Sequence, residues 1–432
     1  MLRIVQNIWK VEDLRKRIMF TLFILLVYRI GAFVPVPNIN KDALNAANQQ
    51  GNDLFGMLNT FSGGALFQFS IFALGIMPYI TASIIVQLLS MDVVPKFAEW
   101  NKEGENGKRK LGQVTRYGTV VLGLIQSFAT TIGFNRMYNQ QMIIDPTAAT
   151  IIMITIVLTA GTTALMWLGE QINEKGIGNG ISILMLAAIV ASIPQHTRSI
   201  FESEFINGDQ MFMSIVKLAA IVVVIVLIVA GVIYVQQGIR KVPVQYAKRV
   251  VGQKMYGGQS THIPLKVNGA GVIPVIFASS LLMFPITIAN FWSDRTWAQW
   301  ISSNLNFDRP LGMVFYVLLI IGFTFFYVFV QFNPQQMADN MKKNGGYIPG
   351  IRPGKPTEGF LMKLLTRLTL TGSIFLAVVS VLPVFFAAAA DLPRTVGFGG
   401  TSLLIVTGVA LETMKQIESQ LIKRHYKGFI NK

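Results

Sequence analysis

The sequence predicts an all-α polytopic membrane protein with ten transmembrane helices and a β-hairpin in a cytoplasmic loop. Three observations carry that expectation. The 432 residues are 52% hydrophobic and only 13% charged, about half the charged share of a soluble domain. Apolar runs of membrane-crossing length recur along the whole chain. Lysine and arginine concentrate on alternate loops, as they do when a chain has a fixed orientation in a bilayer.

A helical span needs about 20 mostly apolar residues. Ten are read, at 18–34, 70–90, 114–134, 149–168, 178–194, 212–235, 270–292, 311–331, 366–387 and 400–414. The first follows a basic start and runs into Pro35-Val36-Pro37-Asn38, a turn rather than a cleavage site of small residues, so it reads as a retained span. Pro194, Pro274, Pro285 and Pro383 lie in or at the ends of spans. Neighbouring helices can satisfy the carbonyls they free.

The charges test the count. The chain carries 37 Lys and Arg against 21 Asp and Glu, a net charge of +16. With ten spans, one face receives the N-terminus, the tail and the loops holding Lys96 to Arg116, Lys175, Arg240 to Lys266 and Lys342 to Arg367. The other face receives only Lys41, Arg136, Arg198, Lys217, Arg295, Arg309 and Arg394. By the positive-inside rule the first face is cytoplasmic and holds both termini. Arg29 alone lies within a span, near its end, where it can snorkel to the interface.

Two cytoplasmic loops are long as well as basic. Residues 236–269 contain PVQYAKRVVG and QSTHIPLKV around Gly257-Gly258, which predicts a hairpin standing off the membrane. Residues 332–365 contain GGYIPGIRPGKPTEG, which predicts a shaped loop rather than a helix. Basic loops also attract anionic phospholipid. Loops this long and rich in turns fit the docking of a large partner.

Catalytic signatures are missing from the sequence. His196, His262 and His425 all lie in loops or the tail, and there is no cysteine. HExxH, GxSxG and Walker A patterns do not occur; Gly176 to Gly180 (GIGNG) lacks the following Lys and Ser/Thr and reads as a tight turn. A proton- or sodium-coupled transporter places a carboxylate in mid-membrane. Here Glu170, Asp391 and Glu412 sit at span ends. These features predict a protein that is not an enzyme and whose cargo is driven from outside the chain or by its own gradient.

The interior offers two kinds of signal. Small and hydroxyl residues in GTTALMWLG, YGTVVLG and TLTGS mark helix contacts. Gln87 and Asn268 could pair across an openable seam or serve as packing glue. The stretch Thr60 to Ser70, TFSGGALFQFS, precedes a span yet carries two glycines, hydroxyls and an amide. Facing lipid, its unpaired backbone would cost several kcal/mol per group. It is therefore expected inside a funnel enclosed by other helices, with a short helix ending near Asn59, a Gly63-Gly64 hinge, and a full span from Ile71 onward. A short element on a glycine hinge inside a cavity can act as a stopper.

FSGGAL, FALGIMPYITASIIVQLL, GEQINEKGIGNGIS, QSTHIPLKVNGAGVIPVIFASS, FNPQQMADNMKKNGGYIPGIRPG and FGGTSLLIV, in that order, resemble the SecY family of protein-conducting channels. The similarity runs from about residue 12 to 425. It implies two pseudo-symmetric five-helix halves related as an inverted repeat, residues 1–193 and 212–432, joined by an external hinge at 194–211. It implies a plug at about 55–66, including Phe55, Asn59, Phe61, Ser62, Gly63, Gly64 and Leu66. It implies an apolar pore ring of Ile76, Ile80, Ile181, Met185, Ile276 and Ile405, with methionine where bacterial relatives usually have isoleucine at Met185. A lateral gate is implied between spans two and three and spans seven and eight, near Gln87 and Asn268. Lys248, Arg249 and Arg352 match basic positions that dock the SecA ATPase or the ribosome. SecE and SecG are the implied membrane partners, the substrates are secretory and membrane proteins with signal sequences, and the location is the bacterial plasma membrane. No cofactor is implied. The rival classes are a small-solute transporter with inverted repeats and a non-catalytic assembly scaffold.

Overall fold

The structure, a computed structural model, describes residues 11–40, 59–90, 94–137, 142–201, 211–246, 249–251, 254–256, 260–289, 292, 295–306, 309–389 and 399–430. In chain order the first helices are α1 (Glu12–Gly31), α2 (Met77–Leu89), α3 (Pro95–Lys102), α4 (Glu105–Met137), α5 (Ala148–Lys175), α6 (Gly180–Phe201) and α7 (Met211–Gln237). Strands β1 (Ile239–Tyr246), β2 (Arg249–Val251), β3 (Lys254–Tyr256) and β4 (Ser260–Lys266) follow. Then come α8 (Ile273–Ala289), α9 (Thr296–Asn304), α10 (Pro310–Gln331), α11 (Pro334–Lys343), β5 (Gly346–Tyr347), α12 (Lys355–Ala389) and α13 (Gly399–Ile430).

Each expected span falls on a helix among the described residues. On length and composition, α4, α5, α7, α10 and α12 can each cross a bilayer, while α2, α6 and α8 contain shorter apolar stretches. The outer surface agrees. Leu22, Phe23, Leu26 and Ile30 on α1 and Val222, Val223, Val226 and Leu227 on α7 are exposed. A continuous apolar surface of this kind is solvated by lipid, not water.

α4 packs between α2 and α5, and α5 against α6; α8, α10, α12 and α13 pack in succession, with α7 against α13. The two groups meet where α2 touches α8 and where α6 touches α13. Within the first group the hydroxyls act as packing residues. Ser127 Oγ and Thr159 Oγ1 lie 3.0 Å apart across the α4–α5 contact, and most other threonines bond a carbonyl one turn back in their own helix.

The turn expected at Gly176 to Gly180 is present between α5 and α6. Gly178 takes a φ of +82°, a left-handed conformation that glycine adopts without strain. Asn173 Oδ1 accepts from the Gly180 N–H at 2.7 Å, and Asn179 Oδ1 caps α6 by accepting from the Ile181 N–H at 3.1 Å.

Several expected boundaries move. α6 continues through Pro194 to Phe201, so the first part of the expected hinge is helical, while residues 202–210 lie outside the described residues. Likewise α12 begins at Lys355, inside the expected loop 332–365, and α13 runs on to Ile430. Hydropathy marks where lipid begins and ends, but a helix of good formers continues past that point into water.

The largest correction concerns span two. A helix was expected from Ile71, but α2 starts only at Met77, with Pro78 in its first turn. Proline suits that position because its missing N–H would have no helical partner. Gly75, with φ +58°, and Phe69, with φ +43°, hold the preceding chain out of the helix.

The two long basic loops form one body rather than two. β1 pairs antiparallel with β4 and also with β5, where Gln245 opposes Tyr347 and Tyr246 opposes Gly346. The β2–β3 register pairs Val251 with Lys254, and Gly257-Gly258, where the turn is expected, lie outside the described residues. Val242, Val244, Leu265, Met341, Ile348, Leu361 and Leu365 share one apolar cluster beneath the sheet. The stretch GGYIPGIRPGKPTEG therefore splits into a strand, a turn and the first turn of α12.

Candidate functional site

The site is built around residues 59–76. Asn59 to Phe61 close a helical turn, and 62–76 proceed as successive turns to α2. Gly63 and Gly64 take φ of +68° and +88°, so this double-glycine turn is left-handed at both positions. Phe69 and Ser70 are fully buried, each at 0% exposure.

Irregular chain this deep must satisfy its backbone, and it does so internally. The Gly64 N–H bonds Asn59 O at 2.9 Å, the Ser70 N–H bonds Ala65 O at 3.0 Å, and the Val36 N–H bonds Phe69 O at 3.0 Å. The Ile71 N–H reaches Val34 O at 3.0 Å. Asn59 Oδ1 accepts from the Phe67 N–H at 2.9 Å, while Ser62 Oγ donates to Asn59 O and accepts from the Leu66 N–H. Asn59 and Ser62 are the segment's internal scaffold, whereas Gln68, the amide within the stretch, is exposed.

Three helices enclose it. Gly31 on α1 faces the Phe72 ring, and Gly161 on α5 faces the Ile71 carbonyl, each so closely that a Cβ would overlap. At Gly63 a Cβ would lie 3.0 Å from Ala188 Cα on α6 and 3.0 Å from the Tyr28 hydroxyl. The funnel expected for this segment is thus a protein enclosure, closed by glycines on facing elements.

The six apolar residues expected to form a ring are brought together. Ile76 and Ile80 from the start of α2, Met185 from α6, Ile276 from α8 and Ile405 from α13 are buried in one cluster, and Ile181 packs against it. Ile405 is 0% and Met185 1% exposed. Phe61 and Ala65 of the irregular segment belong to the same cluster. Phe61, Ile76 and Met185 also line one small gap with Tyr28, Leu165 and Leu184. Leu66 lies on the segment's other side, in a second cluster with Val36, Phe69 and Phe134. Phe55 lies outside the described residues.

Gln87 and Asn268 do not bond each other. Gln87 Nε2 donates to Ser83 Oγ on its own helix at 3.3 Å. Asn268 backs onto Gly372 of α12, where a Cβ would lie 3.5 Å from Asn268 Cα. Its Nδ2 donates to Gly271 O at 2.9 Å, and its buried Oδ1 has no partner. The contact between α2 and α8 is made instead by Ser280, whose hydroxyl lies 3.7 Å from Met77 Sδ. A half-open cavity of about 60 Å³ sits beside it, lined by Leu66, Met77, Thr81, Gln126, Thr130, Ser280 and Phe284 among others. Sequence reasoning missed these polar residues because a Ser or Thr inside a span usually bonds its own helix, as Thr81 does to Met77 O.

On the basic face, Arg352 is exposed in a turn between Gly350 and Gly354, whose φ values are +83° and +98°. The turn is fixed by Thr357 Oγ1, which donates to Arg352 O at 2.9 Å. Arg249 opens β2, and Lys248 lies outside the described residues. Two contacts from α1 escaped the sequence reading. The Tyr28 hydroxyl donates to Ser62 O at 3.0 Å, and Arg29 Nη1 donates to Gly63 O at 2.8 Å. Arg29 therefore turns toward the irregular segment rather than only snorkelling. Its isolation as a charge within a span was the available signal.

Apolar helices gathered round one buried aliphatic cluster, with irregular chain packed against it, define a multi-pass helical membrane protein. The sequence profile of the SecY family matches residues 70–414. The protein translocase subunit SecY of Halalkalibacterium halodurans is 58% identical over 432 residues, covering 100% of each chain. A solved structure described as "The plug domain of the SecY protein stablizes the closed state of the translocation channel and maintains a membrane seal" shares the fold. Its TM-score is 0.57 at 17% identity, covering 94% of this chain and 92% of that one. So does the structure described as "Sec61 in the Canine ribosome-channel complex from the endoplasmic reticulum", with TM-score 0.59 at 16% identity and the same coverage. The chain belongs to the SecY family. It is a bacterial multi-pass membrane protein and a non-catalytic channel subunit.

Proposed function

We propose that this chain is the central pore of a protein translocase. It conducts unfolded secretory polypeptides across the plasma membrane and releases transmembrane segments sideways into lipid. The observation that carries this reading is the cluster in which Ile76, Ile80, Met185, Ile276 and Ile405 meet from four helices, with Phe61 against them. A narrow aliphatic collar dewets, so ions meet a barrier at rest. Flexible aliphatic side chains can also close around a passing chain of any sequence without holding it.

In this reading residues 55–66 are the plug. The α2–α8 contact at Met77 and Ser280 is part of the lateral gate, replacing Gln87 and Asn268 in that role. A signal sequence, itself an apolar helix, exchanges gate contacts for its own and shifts the population toward the open state. The halves 1–193 and 212–432 hinge at the external loop, with both termini cytoplasmic. Lys248, Arg249 and Arg352 meet an acidic protein surface or RNA phosphates, and the occupants are the SecA ATPase and the ribosome. The latter is supported by the ribosome-bound state of the canine relative. SecE and SecG complete the membrane complex, and anionic phospholipid surrounds the basic face.

The direct test is site-specific crosslinking of a stalled secretory chain to probes at Ile80 and Ile276. Both positions should crosslink to the stalled chain and not to lipid. Crosslinks only to probes on the outer, lipid-facing side chains of α7 would overturn the assignment.

A further inference from the structure

We propose that Tyr28 and Arg29, on the last turn of α1, are positioning residues that latch segment 59–66 in its closed seat. The inference rests on the reading of that segment as the stopper. Two consecutive side chains of α1 bond two consecutive carbonyls of the segment, Ser62 O at 3.0 Å and Gly63 O at 2.8 Å. Both carbonyls belong to the left-handed double-glycine turn.

Neighbouring residues on a helix point about 100° apart, so they rarely serve one partner. Here Tyr28 is buried behind the turn while Arg29 grips its edge. The grip is shaped for this purpose on both sides. A Cβ at Gly63 would crowd the Tyr28 hydroxyl at 3.0 Å, and its φ of +68° is one that other residues rarely adopt. The Arg29 guanidinium is steadied by the Phe33 ring, with Cζ 4.5 Å from its centroid. Among the described residues no carboxylate pairs with Arg29. A permanently charged group at the end of a span thus makes its hydrogen bond to the one segment that would have to leave when the channel opens.

Both bonds break together when the segment moves, and water entering the vacated seat satisfies the donors it leaves. The contact therefore favours the closed state strongly only while the seat is dry. A bond from a charged donor and one from a neutral donor each change such an equilibrium by about tenfold.

The chain has no cysteine, so a single Ala65→Cys substitution reports displacement of the segment. Ala65 is fully buried in the closed seat. In the complete channel complex, Arg29→Met and Tyr28→Phe should each raise both resting ion conductance and maleimide labelling of the Ala65→Cys probe, by about tenfold. Arg29→Lys, which keeps a charged donor, should recover part of the seal. Tyr28→Phe removes only a hydroxyl, so it keeps the test valid if Arg29→Met accumulates poorly. Unchanged labelling and conductance in Tyr28→Phe and Arg29→Met would overturn the latch. Increased labelling with unchanged conductance would uphold the latch and overturn the stopper reading instead.

Discussion

Gly161 on α5 and Ile71 in the irregular segment fit together only because one atom is missing: a Cβ at Gly161 would overlap the Ile71 carbonyl oxygen. The carbonyl belongs to backbone, so it cannot swing aside as a flexible side chain would. Gly161 is what allows non-helical chain to lie flush against a transmembrane helix.

Gly161→Ala should therefore destabilise the channel by about 1–3 kcal/mol or more, as overpacking does. Gly112→Ala on α4 is the control, because a Cβ there meets nothing within 4 Å and the change favours helix. Thermal unfolding of the detergent-solubilised complex checks this. A melting temperature for Gly161→Ala equal to that of Gly112→Ala would show that the segment does not pack against α5.

The collar makes a separate prediction. Replacing both Ile80 and Ile276 by Gly, or deleting Thr60 to Leu66, should make the resting membrane leaky to ions. The first removes apolar side chains from a buried cluster, which lowers the dewetting barrier. The second removes Phe61 and Ala65 from its face. Conductance in a planar bilayer is the measurement, and values unchanged from the parent would contradict the collar and stopper.

Arg352 offers a test on the basic face. Its side chain is exposed, and its turn is held by backbone geometry and Thr357 rather than by the guanidinium. Arg352→Glu should leave insertion and accumulation of this chain intact while blocking secretion, since an acidic partner surface or RNA would then meet like charge. Normal export of a secretory reporter by this variant would remove Arg352 from the docking surface.

Much of this was legible beforehand because it depends on local chemistry. Ile76, Ile80, Met185, Ile276 and Ile405 are buried in one large apolar cluster, and most of the irregular chain beginning at Thr60 is buried, with Gln68 exposed. Other features were not legible. Gln87 and Asn268 are both polar residues near the seam in sequence, yet each bonds a residue three or four positions away in its own stretch of chain. Which amide meets which depends on helix rotation, and that is set by packing rather than by sequence spacing. The joint sheet β4–β1–β5 was hidden for a related reason. Its third strand is the two residues Gly346–Tyr347, too short to leave an alternating pattern.

Composition by itself determined that the chain is a multi-pass helical membrane protein, and charge spacing set the expectation of ten spans with one basic face. Hydrocarbon length and the transfer cost of charge act on each segment separately, so each segment reports on itself. Only the tertiary structure decided that α2 starts at Met77, that Gly31 and Gly161 make room for the chain before it, and that α1 grips the turn at Ser62 and Gly63. Those outcomes depend on close approach between elements far apart in sequence. The steric fit that permits it exists only once the helices have packed.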